Sequence, residues 1–254
     1  MDALSQFLLL ATAAFGAGVL NAIAGGGTFL TFPALVYTGV PPIAANATSA
    51  LAVSPGYLGS TLGFRPELAA QPRSLLVREM LICAVGGVAG ALLLLVTPAK
   101  VFEGVVPWLL LFATALFALG PSIARWAGSA DGGASPLWRN VGLAVVAVYG
   151  GYFNGGLGIL LMALYLLVGV TQLNTVNALK NLNSFVLSVL SVVAFAIGGA
   201  IVWKQALLMA VFATFGGFAG ARLAKRLPVA WVRAIVIVTG LAMSVLFFMR
   251  SSAG

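Results

Sequence analysis

The sequence predicts an all-α integral membrane protein of about eight to ten membrane segments, at ~20 residues per span. They form two repeats in inverted orientation, with Gly-broken short or re-entrant helices. Three observations carry this. Hydrophobic residues make up 61% of the chain and charged residues only 7%, against about 25% charged in soluble domains. Apolar stretches divided by Gly, Pro and basic residues follow one another along the whole length. Third, the chain resembles itself: Gly86-Gly87-Val88-Ala89-Gly90-Ala91 returns as Gly216-Gly217-Phe218-Ala219-Gly220-Ala221, and Pro98 as Pro228 at the same offset. Asn21 before Gly25-Gly26-Gly27 pairs with Asn154 before Gly155-Gly156, and Asn46-Ala47 with Asn177-Ala178.

In the first half, apolar segments cover 4–24, 28–39, 43–64, 74–97 and 101–124; in the second, 138–154, 156–170, 174–201, 205–224 and 229–250. The first run is read as a retained span rather than a signal peptide, because Met1-Asp2-Ala3 brings no positive charge. Residues 1–124 form the first repeat, 125–139 a polar linker containing GSADGGASP, and 140–254 the second repeat. In each half, a helix ending in a Gly-rich break is followed by an apolar piece too short for a comfortable span at ~1.5 Å per residue. Three longer helices then complete the half. The short pieces are half-helices, re-entrant segments or tilted spans.

The net charge of +8 comes from 13 Lys and Arg against 5 Asp and Glu. The basic residues lie in short connections, so topology explains them better than nucleic acid does. With five crossings per half, Arg65, Arg73, Arg78, Arg125, Arg139, Arg222, Lys225, Arg226 and Arg233 share one side and Lys100, Lys204 and Arg250 the other. With four crossings the basic residues divide almost evenly. The positive-inside rule prefers five, which puts the linker in the cytoplasm and both termini outside the cell membrane.

Cys83 is the one cysteine and there is no histidine. An intrachain disulfide, Cys-based metal sites and His-assisted nucleophiles are therefore excluded. No cofactor, metal or enzymatic activity is expected, and there is no ATP-binding motif. The Gly-Gly-x-x-Gly faces read as close-packing surfaces between membrane helices.

The chemistry-bearing residues concentrate in TQLNTVNALKNLNSF. Asn174, Asn177 and Asn181 share a helical face and Lys180 lies on the neighbouring stripe. A lysine at membrane depth costs about 2.5–3.5 kcal/mol. The acids Asp2, Glu67, Glu79, Glu103 and Asp131 are read as lying in tails, loops or near segment ends. That leaves Lys180 without an obvious counter-ion, as an anion site requires; the alternative is that it snorkels to the surface. In the first half Asn46, Thr48 and Ser49 stand at the corresponding place, and the hydroxyls either face an anion or bond back to a helical carbonyl. Gly25, Gly26, Gly27 and Gly155, Gly156, Gly158 each precede a short helix whose free N–H groups and dipole can hold an anion. Thr28 opens the first of these helices, and Asn21 and Asn154 can cap the breaks.

The stretches NAIAGGGTFLTFPALVYTGVPPIAANATSA and YFNGGLGILLMALYLLVGVTQLNTVNALKNLNS, with the two GGxxGA helices, resemble the TauE/SafE family of membrane permeases over about Gly16 to Phe248. The resemblance implies export of sulfur-containing anions such as sulfite or organosulfonates. Where the family leads one to expect a second Thr-Ser pair, Leu179-Lys180 stands instead, which bears on the choice of anion. The expected protein is thus an alternating-access transporter with its substrate between the repeats. The predicted contacts are Gly25, Gly26, Gly27, Thr28, Asn46, Thr48, Ser49, Asn154, Gly155, Gly156, Asn177, Lys180 and Asn181. Its partners are the small anion and the lipid bilayer, with homo-oligomers left open. An anion channel and a carrier of a non-sulfur organic anion are the alternatives.

Overall fold

A computed structural model describes residues 2–23, 25–127, 135–223 and 229–252. Most of the linker, with Asp131, and also Lys225, Arg226 and Pro228, fall outside the described residues. The elements are α1 (Ala3–Ile23), α2 (Thr28–Tyr37), α3 (Pro42–Gly63), α4 (Arg65–Ala69), α5 (Arg73–Val96), α6 (Ala99–Ala127), α7 (Pro136–Tyr152), α8 (Leu157–Leu167), α9 (Leu173–Ile197), α10 (Trp203–Leu223) and α11 (Val229–Ser252). All regular elements among the described residues are helices. Ten of them correspond to the ten apolar segments; the short α4 is the addition. Ala3–Ala22, Arg73–Val96, Ala99–Leu116 and Leu173–Ile197 are long and apolar enough to cross a membrane by length and composition. Side chains such as Val85, Leu92, Val145 and Val211 point out of the fold. In a membrane, that surface meets lipid and carries no penalty.

The two short helices fold back along their predecessors. Gly16 of α1 abuts Leu30 of α2, and the Gln6 side chain donates to the Thr38 carbonyl at 3.4 Å. So the chain leaving α2 has returned to the start of α1. In the same way Gly142 and Gly150 of α7 lie against Leu164 and Leu157 of α8, and Arg139 at the start of α7 stacks over the Tyr165 ring, 5.5 Å from its centroid. Each return helix ends in a left-handed glycine, Gly39 and Gly169, both with φ 88°. Pro33 sits inside α2 and Pro55 inside α3, and both helices continue through them.

Glycines set the closest crossings. α5 and α7 run side by side in the same direction. A Cβ at Gly90 would strike the Val148 carbonyl and lie 2.6 Å from the Tyr152 nitrogen, and Gly87 faces the Gly151 backbone. α1 meets α10 similarly: Gly18 lies against Ala213 and Gly217, and Gly216 against the Phe15 carbonyl. Only small residues allow backbones this near. α3 and α9 cross where Ser54 and Ser188 share a hydrogen bond of 2.7 Å. A large apolar core around Phe29, Phe32, Phe102, Phe153 and Phe195 holds α2, α3, α6 and α9. A second, around Cys83, Leu143, Leu161 and Leu179, joins α5, α7, α8 and α9.

Candidate functional site

The site is built on the two glycine breaks. At the end of α1 the Gly25 amide donates to the Leu20 carbonyl at 3.1 Å, which closes the helix. Gly25 then takes φ 80°, a left-handed conformation that side-chain-bearing residues avoid. The Gly27 amide donates to Asn21 Oδ1 at 2.8 Å, so Asn21 caps the break, and α2 starts at Thr28. In the second half Phe153 is extended, Gly156 takes φ 79°, and α8 starts at Leu157.

Asn154 does not copy Asn21. Its amide donates to Asn46 Oδ1 at 3.3 Å, and its Oδ1 accepts from Thr28 Oγ1 at 3.3 Å. Asn46 in turn donates to the Tyr152 carbonyl at 3.1 Å. Each break is thereby fastened to the opposite half of the chain. The breaks also touch: a Cβ built on Gly25 would lie 3.4 Å from Gly158 Cα, and one on Gly158 would lie 3.0 Å from the Gly25 carbonyl oxygen. Two helix N-termini, α2 and α8, converge there and bring their positive dipole ends together.

Lys180 joins this contact from α9. Its Nζ lies 3.6 Å from the Cβ position of Gly25. The residue is 4% exposed, so it does not snorkel out of the fold. Among the described residues it has no hydrogen-bond or ion-pair partner. Half-buried Asn177 and buried Asn181 likewise make no side-chain hydrogen bond among the described residues. Ser184 Oγ and Asn154 Nδ2 are buried without a partner. Positions 177, 181 and 184 recur at helical spacing beside 180, so α9 presents these groups on one side. A buried ammonium, unpaired polar groups and two helix N-termini, with no carboxylate among the described residues in contact, form a place that stabilises negative charge.

The remaining predicted residues have partners within the protein. Thr48 Oγ1 accepts the Val202 amide at 3.0 Å, just before α10. Ser49 Oγ and Thr31 Oγ1 share a hydrogen bond of 2.5 Å. Gly155 lies against the Phe153 ring, and its carbonyl accepts from Tyr149 at 2.8 Å. Gly156 rests on Ala113 of α6. Gly26, Gly27, Thr28, Asn46 and Asn154 stay at the breaks.

Glu79, read as lying near a segment end, does stand near the start of α5, yet it is fully buried, which its place in the sequence does not show. Its Oε1 pairs with Arg139 Nε at 2.6 Å. Its Oε2 accepts from Tyr165 at 2.9 Å and from Asn183 Nδ2 at 3.0 Å. The physical reason is that α5, α7, α8 and α9 pack around this one carboxylate, and burying it is tolerable only when both oxygens are satisfied. Asn183 and Ser184 are absent from the contacts that the sequence predicts, whereas Gly158, named there with the second glycine break, lies at the contact. The i, i+4 step from Lys180 to Ser184 was the available signal. A cavity of about 280 Å³ lies outward along α9, lined by Gln71, Val170, Thr171, Gln172 and Thr175.

Comparison with known proteins gives consistent results. The family model described as sulfite exporter TauE/SafE matches residues 10–247. A probable membrane transporter protein, ORF9, of a Sinorhizobium species is 29% identical over 240 residues, covering 93% of this chain and 90% of that protein. A probable membrane transporter protein of Haemophilus influenzae is 28% identical over 240 residues, covering 91% and 89%. The probable membrane transporter protein YfcA of Escherichia coli K12 is 28% identical over 248 residues, covering 90% and 84%. No solved structure matches.

Proposed function

The chain belongs to the TauE/SafE family of membrane transporters, and from that premise we propose that it carries a small sulfur-containing anion, sulfite or an organosulfonate, across the cell membrane. The observation that carries the reading is the placement of Lys180: a buried ammonium with no counter-ion among the described residues, set where the two glycine breaks touch. Placing charge at membrane depth costs several kcal/mol, ~2.5–3.5 on insertion scales, and a bound anion offsets that cost. The compact oxyanion of a sulfite or sulfonate suits short donors that converge on one point. The family description supports sulfite in particular.

We further propose that residues 1–124 and 140–254 are inverted repeats and that the substrate is exposed alternately to the two sides. Helix neighbours support this, because they exchange consistently between halves. α1 packs on α10 and α7 on α5; α3 packs on α10 and α9 on α5; α6 packs on α8 and α11 on α2. The breaks and the Gly39 and Gly169 turns fall at matching places. In this arrangement the basic residues put the linker in the cytoplasm and the termini outside.

The test uses purified protein in proteoliposomes with sulfite and methanesulfonate. Saturable uptake with counterflow is expected, together with loss of binding in Lys180→Ala. Unchanged affinity in that variant would remove the anion role of Lys180, and unsaturable flux would make the protein a channel. Ser129→Cys in a Cys83→Ala background should react only with cytoplasmic thiol reagents; external labelling reverses the orientation.

A further inference from the structure

α3 and α9 stand at matching places in the two halves, yet only α9 carries polar side chains inward from the surface. Asn174, Asn177, Asn181 and Ser184 share one of its faces, with Lys180 on the neighbouring stripe. Exposure falls step by step along that face. Asn174 is exposed, Asn177 half-buried, Asn181 5% exposed and Ser184 fully buried. The matching positions on α3 are Ile43, Asn46, Ala50 and Val53. Three of these are apolar, and Asn46 and Ala50 are already fully buried. Asn46 is also spent on the second glycine break.

The two ends of the fold are closed differently. The Val202 amide donates to Thr48 Oγ1 and ties the start of α10 to α3. At the offset of the glycine motifs Val202 matches Pro72, just before α5, and Thr48 matches Leu179. Proline has no amide hydrogen to give and the leucine side chain has no acceptor, so this tie has no equivalent at the start of α9. The cavity lined by Gln71 and Thr175 lies there instead. α5 and α7 begin at the same end, because Glu79 and Arg139, near their starts, are paired. The linker leads into α7, so this end is the linker face.

We propose that the Asn face of α9 is the path by which the anion reaches Lys180 from the linker face, with Asn174 as its outermost contact, and that the structure is the carrier opened to that side. Each asparagine amide offers two N–H donors to an anion that is losing its water. Polar side chains at membrane depth are kept where they face the bundle interior or a water-filled cavity, and Asn177 and Asn181 bond to no described residue. At the other end the apolar stripe of α3 gives an anion no comparable contacts. The path rests on the anion reading of Lys180 and adds to it a side and an entry residue.

The experiment labels single cysteines, in a Cys83→Ala background, with a membrane-impermeant thiosulfonate in vesicles of known sidedness, where Ser129→Cys marks the linker face. Asn174→Cys and Asn177→Cys should react from that face alone. Ala50→Cys, the counterpart of position 181, should react about tenfold more slowly than Asn177→Cys from either face, because reactivity follows access. Asn177→Cys reacting from the opposite face or not at all, or Ala50→Cys matching its rate, overturns the path. Sulfite flux in vesicles of the same sidedness tests the contact itself. Asn174 lies at the surface, so Asn174→Leu leaves the packed interior untouched. It should raise the half-saturating sulfite concentration about threefold with sulfite on the linker face, as the loss of one exposed hydrogen bond would, and leave it unchanged from the other face. An equal effect from both faces, or none, removes Asn174 from the path. Lys180→Ala separates the two levels. Unchanged sulfite affinity there defeats the anion reading, whereas a loss there with the wrong sidedness at Asn174 and Asn177 defeats only the path.

Discussion

The two glycine breaks share geometry and differ in chemistry. Both follow a long helix, both pass through a left-handed glycine, Gly25 or Gly156, and both lead into a short returning helix that ends in another, Gly39 or Gly169. The helices that come next differ. On α3, Asn46, Thr48 and Ser49 all spend their side chains on protein partners, namely the Asn154 and Tyr152 backbone, the Val202 amide and Thr31. On α9, Lys180, Asn177 and Asn181 bond to no described residue, and Ser184 is buried unpaired. The first half therefore spends its polar groups on the fold around the contact, and the second half leaves its own unpaired among the described residues. Matching backbones with unequal polar side chains make an asymmetric site on a regular frame.

Substitutions at four places test this contrast. The largest effect is expected at the frame itself. Gly90→Ala would drive a methyl into the Val148 carbonyl and the Tyr152 backbone. Parting α5 from α7 should cost about 2–4 kcal/mol, by analogy with overpacked cores, seen as lost folded yield and a lowered Tm. Next comes Lys180→Ala, which removes a buried charged contact worth about 2 kcal/mol, or roughly thirtyfold in anion affinity, with stability unchanged or raised. Thr48→Val should do the reverse. Losing the acceptor for the Val202 amide should cost about 1 kcal/mol of stability, while anion affinity stays within twofold. A comparable loss of affinity in Thr48→Val would make α3 a binding helix and erase the contrast. The smallest effect is expected at Gly217→Ala. Its nearest outside atom is the Gly18 carbonyl oxygen at 3.8 Å, so Tm should shift by less than would follow from about 0.5 kcal/mol.

The crossing glycines also show why equal motifs need not be equally constrained. Gly90 and Gly216 stand within their partners' backbones, while a Cβ on Gly217, aligned with Gly87, would make only an ordinary contact with the Gly18 carbonyl oxygen. Sequence spacing identifies the face of a helix. The depth at which that face is buried depends on where the neighbouring helix crosses.

The sequence specifies the class, the ten main helices and the position of both breaks. Composition, apolar run length and glycine placement are local properties, and in lipid every backbone group must be satisfied within its own helix, so local pattern and structure coincide. It also singled out Lys180, because a cation inside an apolar run is costly wherever that run packs. Tertiary structure alone decided which polar groups remain free. Thr48 and Lys180 looked equally available in sequence, and only the arrival of Val202 beside one and Gly25 beside the other separates them. Glu79 shows the same limit from the other side. Its position near the start of α5 gives no sign of burial, because the Arg139, Tyr165 and Asn183 groups that make burial possible come from three other helices. A hydrogen-bond partner distant in the chain leaves no periodic trace in the sequence, so the register of the packed helices decides which charges are neutralised and which stay unpaired among the described residues.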